Sequence, residues 1–200
     1  MKTTISYLGS SPLEEQVKNS FKLANLDSEY IRAMQVRSIA LNLAQYYGLD
    51  KNQVSAAALL HNISRLIPAW QYLELAEEYG IDILPEEKQN PQLLHQKISR
   101  ILAVERFNIS DKEVLNAITC HTTLRKSATL LDKIIFIASK HIEQKLRKLA
   151  FCSTNTPKAE KELNSTIYCY LFNLLNNKSQ IYAVHPWAKD ALQELQADCS

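Results

Sequence analysis

Apolar residues recur along this chain at intervals of three and four, the spacing of one face of an α-helix. Leu13, Val17 and Phe21 share such a face, and Ser11-Pro12 opens the helix that carries them, since proline suits a first helical position. Asp27 and Ser28 are candidate caps for a second helix with Ile31, Met34, Leu41, Ala44 and Tyr47 inward, and Gly48 supplies its left-handed stop. A third helix covers Asn52 to Arg65 around the run Ala56-Ala57-Ala58-Leu59-Leu60, and Pro68 breaks it. Ala69 to Tyr79 reads as a short helix stopped by Gly80. Ile81 to Asn90, with Pro85 and several charges, reads as a surface loop. Pro91 starts another helix with Leu94, Ile98, Ile101 and Leu102 inward. Ser110 to Glu113 is a capping box for the helix carrying Val114, Leu115 and Ile118. Leu130 to Lys148 is a long amphipathic segment, and Cys152 to Pro157 a linker. Pro157 to Asn176 is helical, with Leu163, Ile167, Leu171 and Leu174 in register, and a final short helix follows Pro186. The expectation is an all-α fold, a single bundle of about eight or nine helices.

Composition narrows the chemistry. At 200 residues, 46% hydrophobic and 22% charged, the chain suits a folded domain rather than a disordered one. Its three glycines, Gly9, Gly48 and Gly80, exclude a glycine-rich phosphate loop. A net charge of +2 gives no push toward nucleic acid. No apolar run approaches the roughly 18 residues of a membrane span, and Met1 to Leu8 does not read as a signal peptide, so a cytoplasmic location is expected. Cys120, Cys152, Cys169 and Cys199 form no CxxC pair and are expected as free thiols. Cys120, next to His121, is a candidate ligand, although a lone buried cysteine more often acts as a small hydrophobe.

The histidines carry the signal. Five occur, and His61, His95 and His121 each end an apolar run. Three imidazoles at the inner ends of three core helices suit zinc or iron if they converge. Spacing alone favours the plainer reading, three separate core histidines each hydrogen-bonded to a backbone carbonyl. His141 and His185 read as peripheral.

Several stretches together resemble a known family. They are Tyr30-Ile31-Arg32, Ala44 to Gly48, Ala58-Leu59-Leu60-His61-Asn62, Asn90 to His95, Ala117 to Thr123, and Leu131 to Ala138, with a looser likeness in Ile181 to Pro186. Their order resembles the HD-domain superfamily, and within it the YqeK-type symmetrical bis(5'-nucleosyl)-tetraphosphatases. The resemblance implies an all-helical domain holding a pair of iron or other divalent ions and cleaving diadenosine tetraphosphate to two ADP. It divides the chain into an N-terminal helical extension (1–26), an HD-type domain (27–150) and C-terminal helices on the same domain (151–200). His61, His95 and His121 match the family's histidines. Three further metal positions do not: the first histidine falls at Arg32, the HD aspartate at Asn62 and the later aspartate at Ser139. The family pattern also places small residues where Gln96 and Lys97 stand, glycine at Leu124 and lysine at Arg65.

These exchanges remove anionic ligands. Asparagine offers a neutral carbonyl, un-ionised serine is a poor ligand, and arginine cannot ligate. A fixed cation about 4 Å away repels each unit of metal charge by roughly 4 kcal/mol at an effective dielectric of about 20. Without a metal, water keeps its bulk pKa of about 15.7 instead of about 7. A histidine general base returns only about 10²–10⁴-fold. The expectation is therefore a non-catalytic, nucleotide- or phosphate-binding or regulatory protein with no cofactor. Arg32, expected to be interior and paired with an anion or an acidic residue, leads the phosphate-binding candidates, with Arg65, Thr122, Thr123 and Arg125; Lys97 adds charge. The alternative is an active phosphohydrolase with iron, manganese or zinc on His61, His95 and His121. A nucleotide ligand and a homodimer stay open as partners; nucleic acid and membrane are not expected.

Overall fold

The computed structural model describes residues 12–142, 159–176 and 185–199. Among them are ten α-helices, three short 3-10 turns and no strand, the all-α architecture that the periodicity predicts. In chain order the helices are α1 (Leu13–Leu23), α2 (Asp27–Ala44), α3 (Lys51–Leu60), α4 (Tyr72–Glu78), α5 (Pro85–Gln89), α6 (His95–Phe107), α7 (Lys112–Cys120), α8 (Leu130–Ile142), α9 (Glu160–Asn176) and α10 (Pro186–Cys199). No described helix is long and apolar enough to cross a membrane.

Helix α8 is the axis of the bundle. Leu131, Ile134, Ile135, Phe136, Ile137 and Ala138 are all buried, and so are Asp132, Lys133, Ser139 and Lys140, so this helix is enclosed by the rest of the bundle. It packs on α2, α3 and α7, so the ends of those helices meet beside it. Helix α9 leans on it through Phe136 and Tyr170, edge to face at 5.5 Å, and through an ion pair of Lys133 with Glu160 at 3.0 Å. Helix α10 packs along α9.

Several local expectations need correction. The third helix stops at Leu60, not Arg65, and a separate 3-10 turn covers Ile63–Leu66. Asp27 and Ser28 do not cap α2; Leu26 stands at the cap, and Asp27 and Glu29 instead meet the helix dipole from its first turn. Asp111, not Ser110, caps α7, accepting from the N–H groups of Glu113 (2.9 Å) and Val114 (3.2 Å). The expected surface loop at Ile81–Asn90 contains α5, whose Glu87 is fully buried. The final helix is not short but runs for 14 residues. The linker at Cys152–Pro157, the far end of the Leu130–Lys148 segment, residues 1–11 of the N-terminal extension and residues 181–184 lie outside the described residues.

Candidate functional site

One local device places all three histidines. His61 follows the last residue of α3, His121 follows the last residue of α7, and His95 sits where the 3-10 turn Pro91–Leu94 becomes α6. Carbonyls at helix ends lack intrahelical donors. Each imidazole folds back on the carbonyl three residues earlier: Nδ1 of His61 meets Ala58 O at 2.7 Å and that of His121 meets Ile118 O at 2.8 Å, while that of His95 meets Gln92 O at 2.9 Å, a carbonyl that also accepts the His95 backbone N–H. A carbonyl can only accept, so Nδ1 carries the proton and Nε2 keeps the lone pair. The rings also meet. His121 lies edge to face with His61 at 5.0 Å and with His95 at 5.1 Å between centroids. Both readings of the histidines thus hold together: each bonds its own helix, and the three converge.

The turn after His121 closes one side of this chamber. Thr122 hydroxyl donates to His95 Nε2 at 2.8 Å, so that lone pair is engaged. Gln96, fully buried, accepts from Thr122 N–H at 3.2 Å and donates to Thr123 Oγ1 at 3.0 Å. Thr123 hydroxyl donates to Leu124 O at 2.9 Å. Leu124 is buried at φ +59°, in the left-handed region that disfavours a side chain.

Electrostatics keep the chamber neutral to cationic. Burial, then the neighbouring His61, His95 and Lys140, hold His121 well below the usual histidine value of 6.5. Lys140, the residue after Ser139, is only 1% exposed, and its ammonium lies 5.5 Å from the Phe136 ring centroid. Among the described residues the buried carboxylates are Glu87 and Asp132, and both serve other cations. Asp132 pairs with Arg125 at 2.7 Å and Glu87 with Lys97 at 2.7 Å. Two divalent ions need carboxylates to offset about four charges, and this donor set has none. Among the described residues no group of three His, Cys, Asp or Glu side chains is arranged to hold a metal ion. The residues do not fit the ion pair that the family resemblance implies.

The remaining candidates scatter. Arg32 is not interior: its side chain is 44% exposed and reaches the acidic Glu29 only at 4.0 Å. Position 32 lies on the solvent side of α2, where a flexible arginine escapes the cost of burying its charge. Asn62 is half-buried in the turn after His61. Ser139 does reach the chamber wall, donating to His121 O (3.2 Å) and Phe136 O (2.8 Å). Of the phosphate candidates, Arg65 is exposed, Thr122 and Thr123 are buried against their own turn, and Arg125 is held by Asp132. Lys97 is no surface charge; it is buried beside Glu87. Cys120 and Cys169 are free thiols. Burial and then Asp132 push the Cys120 thiol well above its usual value, so it stays protonated and is no ready metal ligand.

Two features escaped sequence reasoning. One is Lys140, which follows the run Ile134 to Ala138 by two residues and is buried with it. The other is a buried cluster around Glu87. Leu84 N–H and Lys97 Nζ donate to Glu87 Oε2 at 2.8 and 2.7 Å, and His185 Nε2 lies 3.4 Å from Oε1. His185 accepts the Trp187 N–H at Nδ1, so Nε2 is its donor, and Lys97 Nζ also lies 5.0 Å from the Trp187 ring centroid. His185 is therefore fully buried rather than peripheral.

Comparison with known proteins agrees with this fold. The HD domain pattern matches residues 30–142. A Lactococcus lactis subsp. cremoris protein, called uncharacterized and named for the pepC 5' region, is 35% identical over 152 residues, covering 76% of this chain and 77% of its own. A symmetrical bis(5'-nucleosyl)-tetraphosphatase of Halalkalibacterium halodurans is 30% identical, covering 78% and 84% of the two chains. That of Bacillus subtilis (strain 168) is 26% identical, covering 71% and 80%. A crystal structure titled "predicted HD superfamily hydrolase involved in NAD metabolism", from Clostridium acetobutylicum, superposes with a TM-score of 0.78 at 26% identity, covering 94% of this chain and 100% of that one.

Proposed function

This chain belongs to the HD domain family, and on that premise we propose that it is a non-hydrolytic member, a nucleotide-binding or regulatory module. One observation carries the reading: the three histidines meet in a chamber whose donor set includes no carboxylate and whose His95 lone pair is engaged by Thr122. Hydrolysis of a phosphoanhydride near neutral pH needs an activated water, and metal coordination supplies most of that activation. These residues keep the helical frame and omit the charges that would hold the ions.

The names of the tetraphosphatase relatives suggest a dinucleoside polyphosphate as the ligand class. Thr122, Thr123 and Arg125 have internal partners, so the exposed Arg32 and Arg65 are the residues of choice for meeting its phosphates. A second reading has an observation of its own. The rings meet as the Nδ1–H tautomer, the form in which histidine ligates through Nε2, but a three-histidine zinc site would also need Thr122 to release the His95 Nε2.

One assay separates the two. Purified protein is given diadenosine tetraphosphate with iron(II), manganese(II) or zinc(II) under anaerobic conditions, beside a His121→Ala control. No turnover is expected with any metal. Turnover that disappears in the control would establish the three-histidine hydrolase instead. The same nucleotide without metal should raise the melting temperature by roughly 5–10 °C at about a hundredfold excess over Kd. That shift should shrink in Arg32→Ala and Arg65→Ala. If the nucleotide leaves the melting temperature unchanged, the ligand assignment is wrong, and a regulatory role through another partner takes its place.

A further inference from the structure

Tryptophan contributes to a fold through the large area it buries, and Trp70 buries little of it. The residue is 75% exposed, and among the described residues its indole makes no hydrogen bond and no ring contact. Its turn is tied to the chamber from two sides. His61 closes α3, and the connection from Asn62 to Gln71 runs on from it to α4. The first 3-10 turn of that connection, Ile63–Leu66, packs on α6, where Ser64 N–H donates to Ser99 Oγ at 3.2 Å. The second, Ala69–Gln71, carries Trp70 and packs against Pro91–Leu94, the turn that delivers His95. Tyr72, the buried first residue of α4, donates its hydroxyl to Ser64 O at 3.1 Å and so pins the two ends of the connection together. Trp70 is therefore presented by a fixed turn. Arg65 stands on the same connection, exposed and without an ion-pair partner among the described residues. At most about 18 Å of extended chain separates the two residues, a span that a nucleoside polyphosphate bridges.

We propose that Trp70 is the base platform of the nucleotide site: a nucleobase stacks on its exposed indole while Arg65 meets the phosphates. The inference rests on the nucleotide-binding reading and deepens it, because it names the residue that tells a nucleotide from a bare phosphate chain. A guanidinium selects for negative charge, whereas an aromatic face selects for a base. Every base has a π-face, so this platform favours nucleotides over inorganic polyphosphates without choosing among bases. The pinned turn holds the indole in place before the ligand arrives, so little ordering is needed on binding.

Tryptophan emission and a base-free competitor test this together. Diadenosine tetraphosphate and ADP are titrated into the full chain without added metal, beside inorganic tripolyphosphate. Both nucleotides should quench the tryptophan emission of the unaltered protein, and tripolyphosphate should not. Trp70→Ala should lose the quench, with only Trp187 left to emit. By calorimetry it should bind both nucleotides roughly tenfold or more weakly, the scale of one base stack. Its affinity for tripolyphosphate should be unchanged. Trp70→Phe should keep most of the nucleotide affinity, because it keeps the aromatic face, and Arg65→Ala should weaken nucleotides and tripolyphosphate alike. Trp70 has little packing to lose, so its variants should fold as the unaltered protein does. Nucleotide binding without a quench overturns the proposal, and so does Trp70→Ala binding nucleotides as tightly as the unaltered protein. Either result leaves the nucleotide-binding reading standing. A loss of tripolyphosphate affinity in Trp70→Ala as large as the loss for nucleotides also overturns it, since the residue would then not be reading the base. Nucleotides that neither quench the emission nor raise the melting temperature overturn both.

Discussion

Leu124 shows how much a single residue decides here. Its side chain is buried, yet its backbone sits at φ +59°, where the family pattern has glycine. The left-handed conformation costs an L-residue about 1–2 kcal/mol, while deleting a buried leucine side chain costs about 2–5 kcal/mol. Burial wins, and the strained turn persists. Alanine at this position loses the side chain and keeps the strain, whereas glycine loses the side chain and relieves it. Leu124→Gly should therefore be more stable than Leu124→Ala by about 1 kcal/mol, the reverse of their order in a helix. Urea denaturation of the two variants checks this, and alanine proving the more stable would mean that the turn is not strained. The same turn holds Thr122 against His95, so the leucine helps close the chamber.

At the scale of elements, the Glu87 cluster ties the last described helix to the middle of the chain. Glu87 comes from α5, Lys97 from α6, and His185 from the residue before α10. Burial pushes the Glu87 carboxyl up, but hydrogen bonds from His185, Lys97 and the Leu84 N–H outweigh it and hold the group below its usual value. Removing one partner of a buried pair leaves an uncompensated charge, which typically costs about 3–5 kcal/mol. Glu87→Ala should be destabilised by that amount. Combining it with Lys97→Met should cost clearly less than the sum of the single changes in a double-mutant cycle. Additive losses would show that the pair is not coupled. Elements also explain the misread boundaries. His61 stands at the C-terminal cap of α3 with its ring on the Ala58 carbonyl, an arrangement that a run of alanines and leucines does not announce.

For the whole molecule, the chamber sets the response to pH. His121 is held below its usual 6.5 by burial and then by His61, His95 and Lys140, so the folded protein resists a proton that the unfolded chain accepts. The unfolded state binds more protons below that value, and stability must rise with pH. Stability is therefore at its full value above about pH 6.5 and declines as pH falls toward the depressed folded-state value, by at most about 1.4 kcal/mol per pH unit. Glu87, lowered from 4.5, begins to lose its contribution only below that value, so the interval from 6.5 to 5 lies above the range in which this carboxylate responds. Urea midpoints should be close to one another at pH 7.5 and 6.5 and lower at pH 5.5, and His121→Gln should flatten the trend. A flat profile in the unaltered protein would mean that the chamber admits a proton without penalty.

Much of this was legible along the chain. The three- and four-residue periodicity specifies helices through nearest neighbours alone, and an apolar run ending in histidine marks where a helix end meets the core. The sequence therefore singles out His61, His95 and His121 as candidates, and the tertiary structure brings their rings together. Only the tertiary structure decided which charges face inward. Arg32 turned to solvent, Lys140 stayed within, and Glu87 left an expected loop to become a buried partner of Lys97 and His185. The physical reason is range. Helix formation depends on residues within a turn of one another, whereas burying a charge is settled by partners that only the assembled bundle brings close, such as His185 facing Glu87 across 98 residues of chain.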